Sequence, residues 1–398
     1  MTNEALPMER RDLVIGIPGE IFERCRCVAL VPQTARALVE RGHKVLVQQD
    51  AGVKAHYTNE MYKESGAALV PDASATYVNA DVIMKIRPPL FNPTTGLHEL
   101  DMMKKGATIL SFLAPMQDPA VLAKLVGNEL TGFAMEMVPR IARAQSMDAL
   151  STFACITGYR AALLAASLLG RFLPGLTISA GSVPPANALV IGAGLAGLQA
   201  IATLHRMGAT VEAFDVRPAA KEQVLSVGGH FLETDLPWES EAAYGYAREA
   251  SEDYIRRERS IIADRLPGMD LVIVSALVYG RRAPLLITEE MVRRMSPGSV
   301  IIDIVAEQGG NCEFTRAGET VEKYGVAVHG AVELPSQMPL HTSLLYSRNV
   351  TRAFDNLYPS QDDSVNLADE INRAALVTHK GMVIADAVKQ STPPSARP

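Results

Sequence analysis

The sequence predicts an α/β protein with two Rossmann-like domains, each built on a doubly wound parallel sheet, joined by a long helix. Three observations lead to this fold class. The chain has 398 residues, whereas single hydrophobic cores stop growing near ~250–300 residues. Short apolar runs alternate with helical stretches in both halves, which is typical of βαβ units. A stretch rich in alanine and leucine separates the two halves.

The first set of strands lies in the N-terminal third of the chain. Strands are predicted at short apolar runs over 12–17, 45–48, 80–86, 107–113 and 130–135. Helical patterns over 32–41 and 118–126 lie between them. Because parallel strands need crossover connections, this alternation predicts one parallel sheet.

The second set follows the long helical stretch, which is predicted over about 146–172. Its strands are predicted at 188–191, 210–214, 271–274, 299–304 and 326–329. After about residue 334 strong sheet signals are lacking, and helices are predicted over 347–357 and 365–377. The long helix is a natural domain connector, and a cofactor cleft is expected between two such domains.

Composition excludes several classes of protein. Apolar residues make up 48% of the chain and charged residues 21%, as in ordinary folded proteins. With 38 basic and 44 acidic residues the net charge is −6, which argues against nucleic-acid binding. The N-terminus lacks an apolar signal segment, and the most apolar stretch carries Arg160 and Arg171, so no membrane insertion is expected. Dispersed cysteines and histidines predict neither disulfides nor a metal site.

The strongest local signal is a glycine-rich turn. The pattern G-x-G-x-x-G, at Gly192, Gly194 and Gly197, follows a predicted strand and opens a helix, the context of a dinucleotide site. The glycines allow a tight turn, close approach of a pyrophosphate and close helix packing, respectively. The next strand ends at Asp215, whose carboxylate would bind ribose hydroxyls and favour NAD(H), although Arg217 leaves the choice against NADP(H) open. The alternative is a glycine turn that binds nothing.

A second group of polar residues precedes the long helix. Ser146 and Asp148 could simply cap this helix and lie favourably in its first turn. Capping does not account for Arg140 and Gln145 just upstream, at the expected domain junction. Together these side chains could hold a nicotinamide ring and its carboxamide, and both interpretations stay open.

Residues 238–265 form a charged insertion that is longer than most loops of compact α/β units. Its second half has a helical pattern, and its first half, around Tyr246, is typical of an exposed tip. One interpretation is a solvated helix preceded by a turn. The other is a lid or a partner-contact loop.

These motifs resemble domain I, the NAD(H)-binding component of proton-translocating nicotinamide nucleotide transhydrogenase. The resemblance covers about 12–384 and is carried by PRIARAQSMDALS and by the long runs at 181–229, 285–319 and 334–349. The related alanine dehydrogenases share the fold and some of the motifs. Both families are expected to have two Rossmann-like domains.

The resemblance implies that the chain binds NADH and passes a hydride directly to NADP⁺ on another domain, with no acid–base residues. The work of the protein is then to position two nicotinamide rings. The family motifs match Arg140, Gln145, Asp148, Ser151 and Tyr246 around the nicotinamide. They match Gly192, Gly194, Leu195, Ala196, Gly197, Asp215, Val216, Arg217, Gly229, Ala276 and Leu277 as NAD-binding residues.

The resemblance also implies partners and domain limits. An NADP(H)-binding subunit and a membrane subunit would be separate chains, and this chain would form a homodimer. It would be cytoplasmic, and peripheral to the inner membrane when assembled. The expected domains are 1–138 plus 333–398, a Rossmann-like domain completed by the C-terminal helices, and 139–332, the NAD(H)-binding domain.

Departures from the family pattern leave alternatives open. Cys27 stands where alanine dehydrogenases have a carboxylate-binding arginine, Ala114 where they have a catalytic histidine, and Tyr279 where transhydrogenases have a proline. An amino-acid dehydrogenase needs a carboxylate clamp and a proton-transfer group, so losing both favours the transhydrogenase subunit. The alternatives are a diverged NAD-dependent amino- or imino-acid dehydrogenase, using Lys85 or Glu307 for proton transfer, and a silent nucleotide-binding module.

Overall fold

A computed structural model of the chain describes residues 12–233, 252–277, 282–359, 364–386 and 388. They form two compact units. One consists of the described residues up to Thr152 together with those from Met338 onward, and the other of the described residues from Phe153 to Gln337. Each unit contains one large, mostly parallel sheet, so the predicted fold class is confirmed.

The first unit begins with alternating strands and helices. Its strands are β1 (Val14–Ile17), β2 (Lys44–Gln48), β3 (Ala68–Val70), β4 (Val82–Met84), β5 (Phe91–Asn92), β6 (Leu97–His98), β7 (Thr108–Ser111) and β8 (Thr131–Ala134). Its helices are α1 (Pro32–Glu40), α2 (Asn59–Glu64), α3 (Ala73–Asn79) and α4 (Pro119–Gly127). The predicted strands are present here, and β3 is a strand that the apolar pattern did not reveal.

The chain then enters the second unit through α5 (Ala149–Leu168). The strands that follow are β9 (Leu176–Ile178), β10 (Gly181–Val183), β11 (Asn187–Ile191), β12 (Thr210–Phe214), β13 (His230–Phe231), β14 (Leu271–Val274), β15 (Val300–Asp303), β16 (Thr320–Lys323) and β17 (Val326–Gly330). The helices are α6 (Leu195–Arg206), α7 (Ala220–Ser226), α8 (Glu252–Arg265) and α9 (Glu289–Arg293).

The C-terminal part belongs to the first unit and contains α10 (Pro339–Leu357), α11 (Glu370–Ala375), β18 (Leu376–His379) and β19 (Met382–Val383). β18 pairs antiparallel with β8, and β19 pairs antiparallel with β18. The expectation of a helix over 365–377 and no strands beyond 334 is therefore wrong at this end. The apolar run through Leu376 and Val377 is buried, and periodicity cannot separate a short buried strand from a buried helix.

Both large sheets have the strand order of a doubly wound fold. The first runs β19-β18-β8-β7-β4-β1-β2-β3, and the second β13-β12-β11-β14-β15-β17-β16. The order reverses between β1 and β4 in the first sheet and between β11 and β14 in the second. Ligands of open α/β sheets bind beyond the carboxyl ends of the strands at this switch point. The loops after these four strands are therefore the places where a ligand is expected to bind.

The core of the second unit is packed on both faces of its sheet. Along β11, Ala188 and Val190 face one buried cluster, which also contains residues of α5, α6 and α7. Leu189 and Ile191 face the other, with residues of α8 and α9. This alternation is the period of a strand covered by helices on both sides. It holds the carboxyl ends of β11 and β14 in fixed positions.

Among the described residues, one helix, α5, is long and apolar enough to cross a membrane by length and composition. The expectation that the chain does not insert into a membrane stays a prediction. Within the second unit, Ala161, Ala162 and Ala165 of α5 are fully buried in the core. This part of α5 therefore packs in the core of the second unit, while 33% of the apolar window of the helix is buried.

Candidate functional site

The glycine-rich turn joins β11 to α6 at the switch point of the second sheet. Gly192 has φ +90°, and a Cβ there would lie 2.7 Å from Ser275 Oγ. A Cβ on Gly197 would overlap the Gly192 carbonyl oxygen, so only glycine allows α6 to start this close to β11. A Cβ on Gly194 would meet no described atom within 4 Å. The turn thus leaves open space where a pyrophosphate would approach the first amides of α6.

Asp215 follows β12 directly and ties the second strand to this turn. Its carboxylate Oδ2 accepts a hydrogen bond of 2.7 Å from the Ala193 amide. Arg217 pairs with the same carboxylate through Nε, 2.9 Å from Oδ1, and Nη2, 3.0 Å from Oδ2. The buried carboxylate therefore lies beside the glycine turn, where an acidic residue would bind the adenosine ribose. Val216 lies between these two residues and packs against the core cluster on the α8 face.

The remaining residues matched to the NAD site occupy different positions. Leu195 and Ala196 begin α6, and the Leu195 side chain is exposed. Ala276 and Leu277 follow β14, on the other side of the switch point. Gly229 lies just before β13, where a Cβ would lie 2.7 Å from Ile201 Cγ2. Gly229 is thus packed against α6, while Leu195 and Ala196 form its first turn, and Ala276 and Leu277 lie in the loop after β14.

Sequence reasoning missed a glycine that supports this turn. Gly158 lies in α5, and a Cβ there would overlap the carbonyl oxygen of Ala196. α5 consequently packs directly against the start of α6, which carries the phosphate-facing amides. A lone glycine inside an apolar helical pattern gives no sign of its packing partner, so no local signal could have identified it.

The polar residues ahead of α5 belong to the first unit. The helix α5 begins in this unit and continues into the second one. Asp148 Oδ1 accepts a hydrogen bond of 2.8 Å from the Ser151 amide, and its Oδ2 accepts one from the Ser151 hydroxyl. The N-terminal cap of α5 is therefore Asp148, while Ser146 lies in a preceding 3₁₀ turn over Ala142–Met147. Arg140 and Gln145 are exposed on the same segment.

The 3₁₀ turn is held in place by the C-terminal helices of the same unit. Asn349 of α10 donates a hydrogen bond of 2.8 Å from Nδ2 to the Ser146 carbonyl oxygen. Arg143 Nη1 lies 2.7 Å from Asp369 Oδ2, at the start of α11. Arg143 also donates to Glu370 Oε1 at 3.2 Å. The segment that leads into α5 is therefore fixed at several points.

The switch point of the first sheet is filled by a buried ionic cluster. Glu20 follows β1 and Lys85 follows β4, and Lys85 Nζ lies 2.8 Å from Glu20 Oε2. A second carboxylate, Glu99 Oε1, lies 3.3 Å from the same ammonium and accepts a hydrogen bond of 2.8 Å from Tyr77. All four residues are buried. Protein side chains thus occupy the place where this sheet would bind a ligand.

The charges of this cluster are fixed by its surroundings. Burial by itself lowers the pKa of Lys85, but the carboxylates of Glu20 and Glu99 outweigh that effect, and its pKa lies above the ordinary lysine value. Lys85 is accordingly a buried ammonium group paired with two carboxyl groups, and burial raises the pKa of one of them, Glu99. A group that must gain and lose a proton near neutral pH has a pKa close to that pH, and Lys85 does not.

Ala114 follows β7 and adopts φ +49°. Its amide donates a hydrogen bond of 2.5 Å to Glu136 Oε1, which also accepts one of 2.9 Å from the Leu113 amide. Burial raises the pKa of Glu136. The methyl group of Ala114 cannot transfer a proton, and the nearby carboxylate is engaged with the backbone. Neither residue therefore supplies the proton-transfer group expected of an amino-acid dehydrogenase.

Two of the sequence predictions lie outside the described residues, namely the Tyr246 tip of the insertion and the Tyr279 departure. The second half of the insertion is helical, as predicted, and forms α8. Glu258 of this helix is buried, and its pKa is raised to about 7 by burial and by the nearby Asp215 carboxylate. Within the described ranges no three histidine, cysteine or acidic side chains are grouped as metal ligands.

Comparison with known proteins identifies the family to which the chain belongs. The family descriptions "Alanine dehydrogenase/PNT, N-terminal domain" and "Alanine dehydrogenase/PNT, C-terminal domain" match residues 16–157 and 161–386. The chain belongs to the alanine dehydrogenase/PNT family. Together the two domains of this family account for nearly the whole chain, and the resemblance predicted from the motifs is confirmed.

Within the alanine dehydrogenase/PNT family, the transhydrogenase branch is the more similar. The chain is 41% identical to "NAD(P) transhydrogenase subunit alpha" of Haemophilus influenzae, over 94% of this chain and 72% of that protein. It is 39% identical to an NAD(P) transhydrogenase alpha-subunit chain of Rhodospirillum rubrum, over 96% of this chain and 98% of that one. The identity to an alanine dehydrogenase of Bacillus subtilis is 29%, over 94% of each chain.

A solved structure agrees with this relationship. The crystal structure of a transhydrogenase from Sinorhizobium meliloti matches with a TM-score of 0.82 and 36% identity, over 93% of this chain and 100% of that one. The two-domain arrangement of the alanine dehydrogenase/PNT family therefore holds for this chain.

Proposed function

We propose that this chain is the NAD(H)-binding subunit of an NAD(P) transhydrogenase and passes a hydride between NADH and NADP⁺ held on a partner subunit. The observation that carries the proposal is the pairing of the glycine turn with Asp215 at a switch point, in a chain similar along its length to transhydrogenase alpha subunits. NAD is the cofactor, and the open space beside Gly194 fits its pyrophosphate.

The residues of the second unit would hold the adenosine half of the dinucleotide. Amides at the start of α6, from Gly194 to Gly197, would donate to the pyrophosphate. Asp215 would accept hydrogen bonds from the ribose hydroxyls and repel a 2′-phosphate, which favours NADH over NADPH. Arg217 donates hydrogen bonds to both oxygens of the Asp215 carboxylate, so it would give up part of this contact when the ribose binds.

The residues ahead of α5 would orient the nicotinamide. Arg140 and Gln145 are exposed on a segment anchored to α10 and α11, which would hold both residues in position to contact the ring. Asp148 and Ser151 already bind one another, and together with Tyr246 they complete the set assigned to the ring. The bound NADH supplies the hydride, and these residues hold the ring so that transfer occurs within one complex.

Direct hydride transfer between two nicotinamide rings moves no proton to or from the protein. The chain therefore needs neither a general acid nor a general base. The absence of this need agrees with Ala114 at the expected histidine position and with the burial of Lys85 beside two carboxyl groups. Glu307, the other candidate for proton transfer, is exposed after β15. Neither candidate thus supports the dehydrogenase alternative, and the transhydrogenase function requires no such group.

One set of measurements separates the proposal from the dehydrogenase alternative. The isolated chain is titrated with NADH and NADPH and is assayed with NAD⁺ and a panel of amino acids. We expect NADH to bind more tightly than NADPH and no amino acid to support NADH formation. Formation of NADH from an amino acid by the chain alone would establish the dehydrogenase alternative instead. Failure to bind either nucleotide would overturn both.

The proposal extends to the assembly. The NADP(H)-binding subunit and a membrane subunit are the expected partners, with this chain at the cytoplasmic side of the inner membrane. We also propose a homodimer. In support, the hairpin of β9 and β10 exposes Ile178 and Val183, and Phe172 is exposed just before it. An isolated two-stranded hairpin with apolar surface is marginal in water by itself, and a second copy would cover it.

A further inference from the structure

Asn311 is a fully buried amide in the loop after β15. Its side chain bonds to backbone atoms of another segment. Oδ1 accepts a hydrogen bond of 3.1 Å from the Ala276 amide, and Nδ2 donates to the carbonyl oxygens of Ala276, at 3.0 Å, and Pro284, at 2.7 Å. One side chain thus binds the backbone N–H and carbonyl groups of Ala276 and the carbonyl group of Pro284.

The position of Asn311 is itself fixed. Its backbone N–H donates a hydrogen bond of 2.6 Å to Oδ2 of Asp303, the last residue of β15. Its backbone carbonyl oxygen accepts hydrogen bonds from the Leu286 and Ile287 amides. The same Asp303 oxygen accepts a hydrogen bond of 2.7 Å from Thr315 Oγ1. The end of β15 therefore sets where the Asn311 carboxamide points.

The segment held by Asn311 lies at the switch point of the second sheet. Ser275, the residue before Ala276, donates a hydrogen bond of 2.8 Å from Oγ to the Gly192 carbonyl oxygen. The segment is thus attached on one side to the glycine turn and on the other to Asn311. These two attachments determine the distance between the Ala276–Leu277 backbone and the turn that would receive the pyrophosphate.

We propose that Asn311 is a positioning residue for the dinucleotide, which it orients by holding the Ala276–Leu277 backbone against it. The inference rests on the proposed function and deepens it. The described bonds of the Asn311 side chain go to Ala276 and Pro284 and none goes to the glycine turn, so Asn311 acts through Ala276. Because Asn311 acts through Ala276, removing its carboxamide is expected to weaken NADH binding more than an equally destabilising substitution elsewhere in the second unit would.

The test compares three variants by NADH titration and thermal unfolding. Asn311→Asp keeps the shape but places an oxygen against the carbonyl oxygens of Ala276 and Pro284. Asn311→Ser removes the contacts without adding a buried charge, and serves if the aspartate variant does not fold. Ser299→Ala is the control, because it loses a buried hydrogen bond to the Met269 carbonyl oxygen and leaves Asp303, Asn311 and Ala276 untouched.

Since a lost buried hydrogen bond changes an equilibrium by roughly tenfold, we expect the Kd for NADH to rise about tenfold or more in the Asn311 variants. In Ser299→Ala the Kd should stay near the wild-type value although the Tm falls. Unchanged affinity in both Asn311 variants, or an equal loss in Ser299→Ala, would overturn the inference and leave the proposed function intact. Absence of NADH binding by the wild type would instead overturn the proposed function and the inference together.

Discussion

Gly158 links a residue outside any motif to the phosphate-facing end of α6. Its missing side chain lets α5 pack against the Ala196 carbonyl, just as Gly197 lets α6 approach Gly192. The motif spacing predicted the second of these contacts, because G-x-G-x-x-G encodes a local turn. It could not predict the first, since Gly158 and Ala196 are brought together only by the fold. The Asn311 bonds to Ala276 escaped prediction for the same reason.

We expect Gly158→Ala to lower both stability and NADH affinity. The added methyl group must separate α5 from α6, and overpacking of this kind costs about 1–3 kcal/mol. Thermal unfolding and NADH titration measure the two effects. Gly127→Ala is the matched control, because a Cβ at this helical glycine meets no described atom within 4 Å. Equal behaviour of the two variants would show that the close approach of α5 is unimportant.

Gln145→Ala is expected to slow hydride transfer more than it weakens NADH binding. The side chain is exposed on an anchored segment, so its removal leaves the fold intact but frees the nicotinamide ring to rotate. Effective transfer depends on the geometry of the reacting atoms more steeply than binding does. Single-turnover rates with the NADP(H)-binding partner, set beside the Kd for NADH, provide the measurement. A proportional loss of both would contradict an orienting role.

At the scale of elements, the parallel strands were predictable and the C-terminal strands were not. Strands such as Leu271–Val274 are continuous apolar runs, and burial on both faces produces this signal. β18 and β19 give no comparable signal. β18 follows α11 directly in the sequence, and its partner strand β8 comes from a distant part of the chain. The helix in the second half of the insertion could be predicted from the sequence. The position of its residue Glu258 near Asp215 could not.

The helix α8 contributes a pH-dependent term to stability through Glu258. Burial and the Asp215 carboxylate raise its pKa from the ordinary value of 4.5 to about 7. The folded protein therefore holds the proton more tightly than the unfolded chain, and stability is lost as pH rises from about 4.5 to 7. We expect Glu258→Gln to stabilise the protein at pH 8 by about 1–3 kcal/mol and to have little effect below pH 4.5.

Thermal or denaturant unfolding of both proteins across this pH range tests the Glu258 prediction. The difference in unfolding free energy should grow between pH 4.5 and 7 and then level off. Arg259 is the adjacent charged residue and opposes the shift, so it is kept in both proteins. A difference that does not change with pH would contradict the assigned titration.

At the scale of the whole molecule, the two-unit plan was predictable from length and from two sets of strands. The return of the C-terminal helices to the first unit followed from the family resemblance, since nothing in their composition indicates which unit they join. The exposed hairpin of β9 and β10 was not predicted. Its short strands lie in a segment rich in glycine and proline between α5 and β11, and such a segment is also typical of a loop.

The homodimer proposal predicts that Ile178→Asp weakens self-association. A charge on the exposed hairpin would be desolvated in a dimer interface, which is costly, but would be solvated in a monomer. Sedimentation velocity over a concentration series measures the change. Lys323→Asp, on β16 at the edge of the second sheet, is a surface control with no expected effect. A wild type that is monomeric at all concentrations would contradict the proposal.

Hydride transfer itself is measured by mixing this chain with an NADP(H)-binding transhydrogenase subunit. The mixture receives NADH and an NADP⁺ analogue whose reduced form absorbs at its own wavelength. We expect the analogue to be reduced only when both proteins and NADH are present, and more slowly with Gln145→Ala. Reduction no faster than with either protein alone, under conditions where both bind their nucleotides, would show that this chain is not a transhydrogenase subunit.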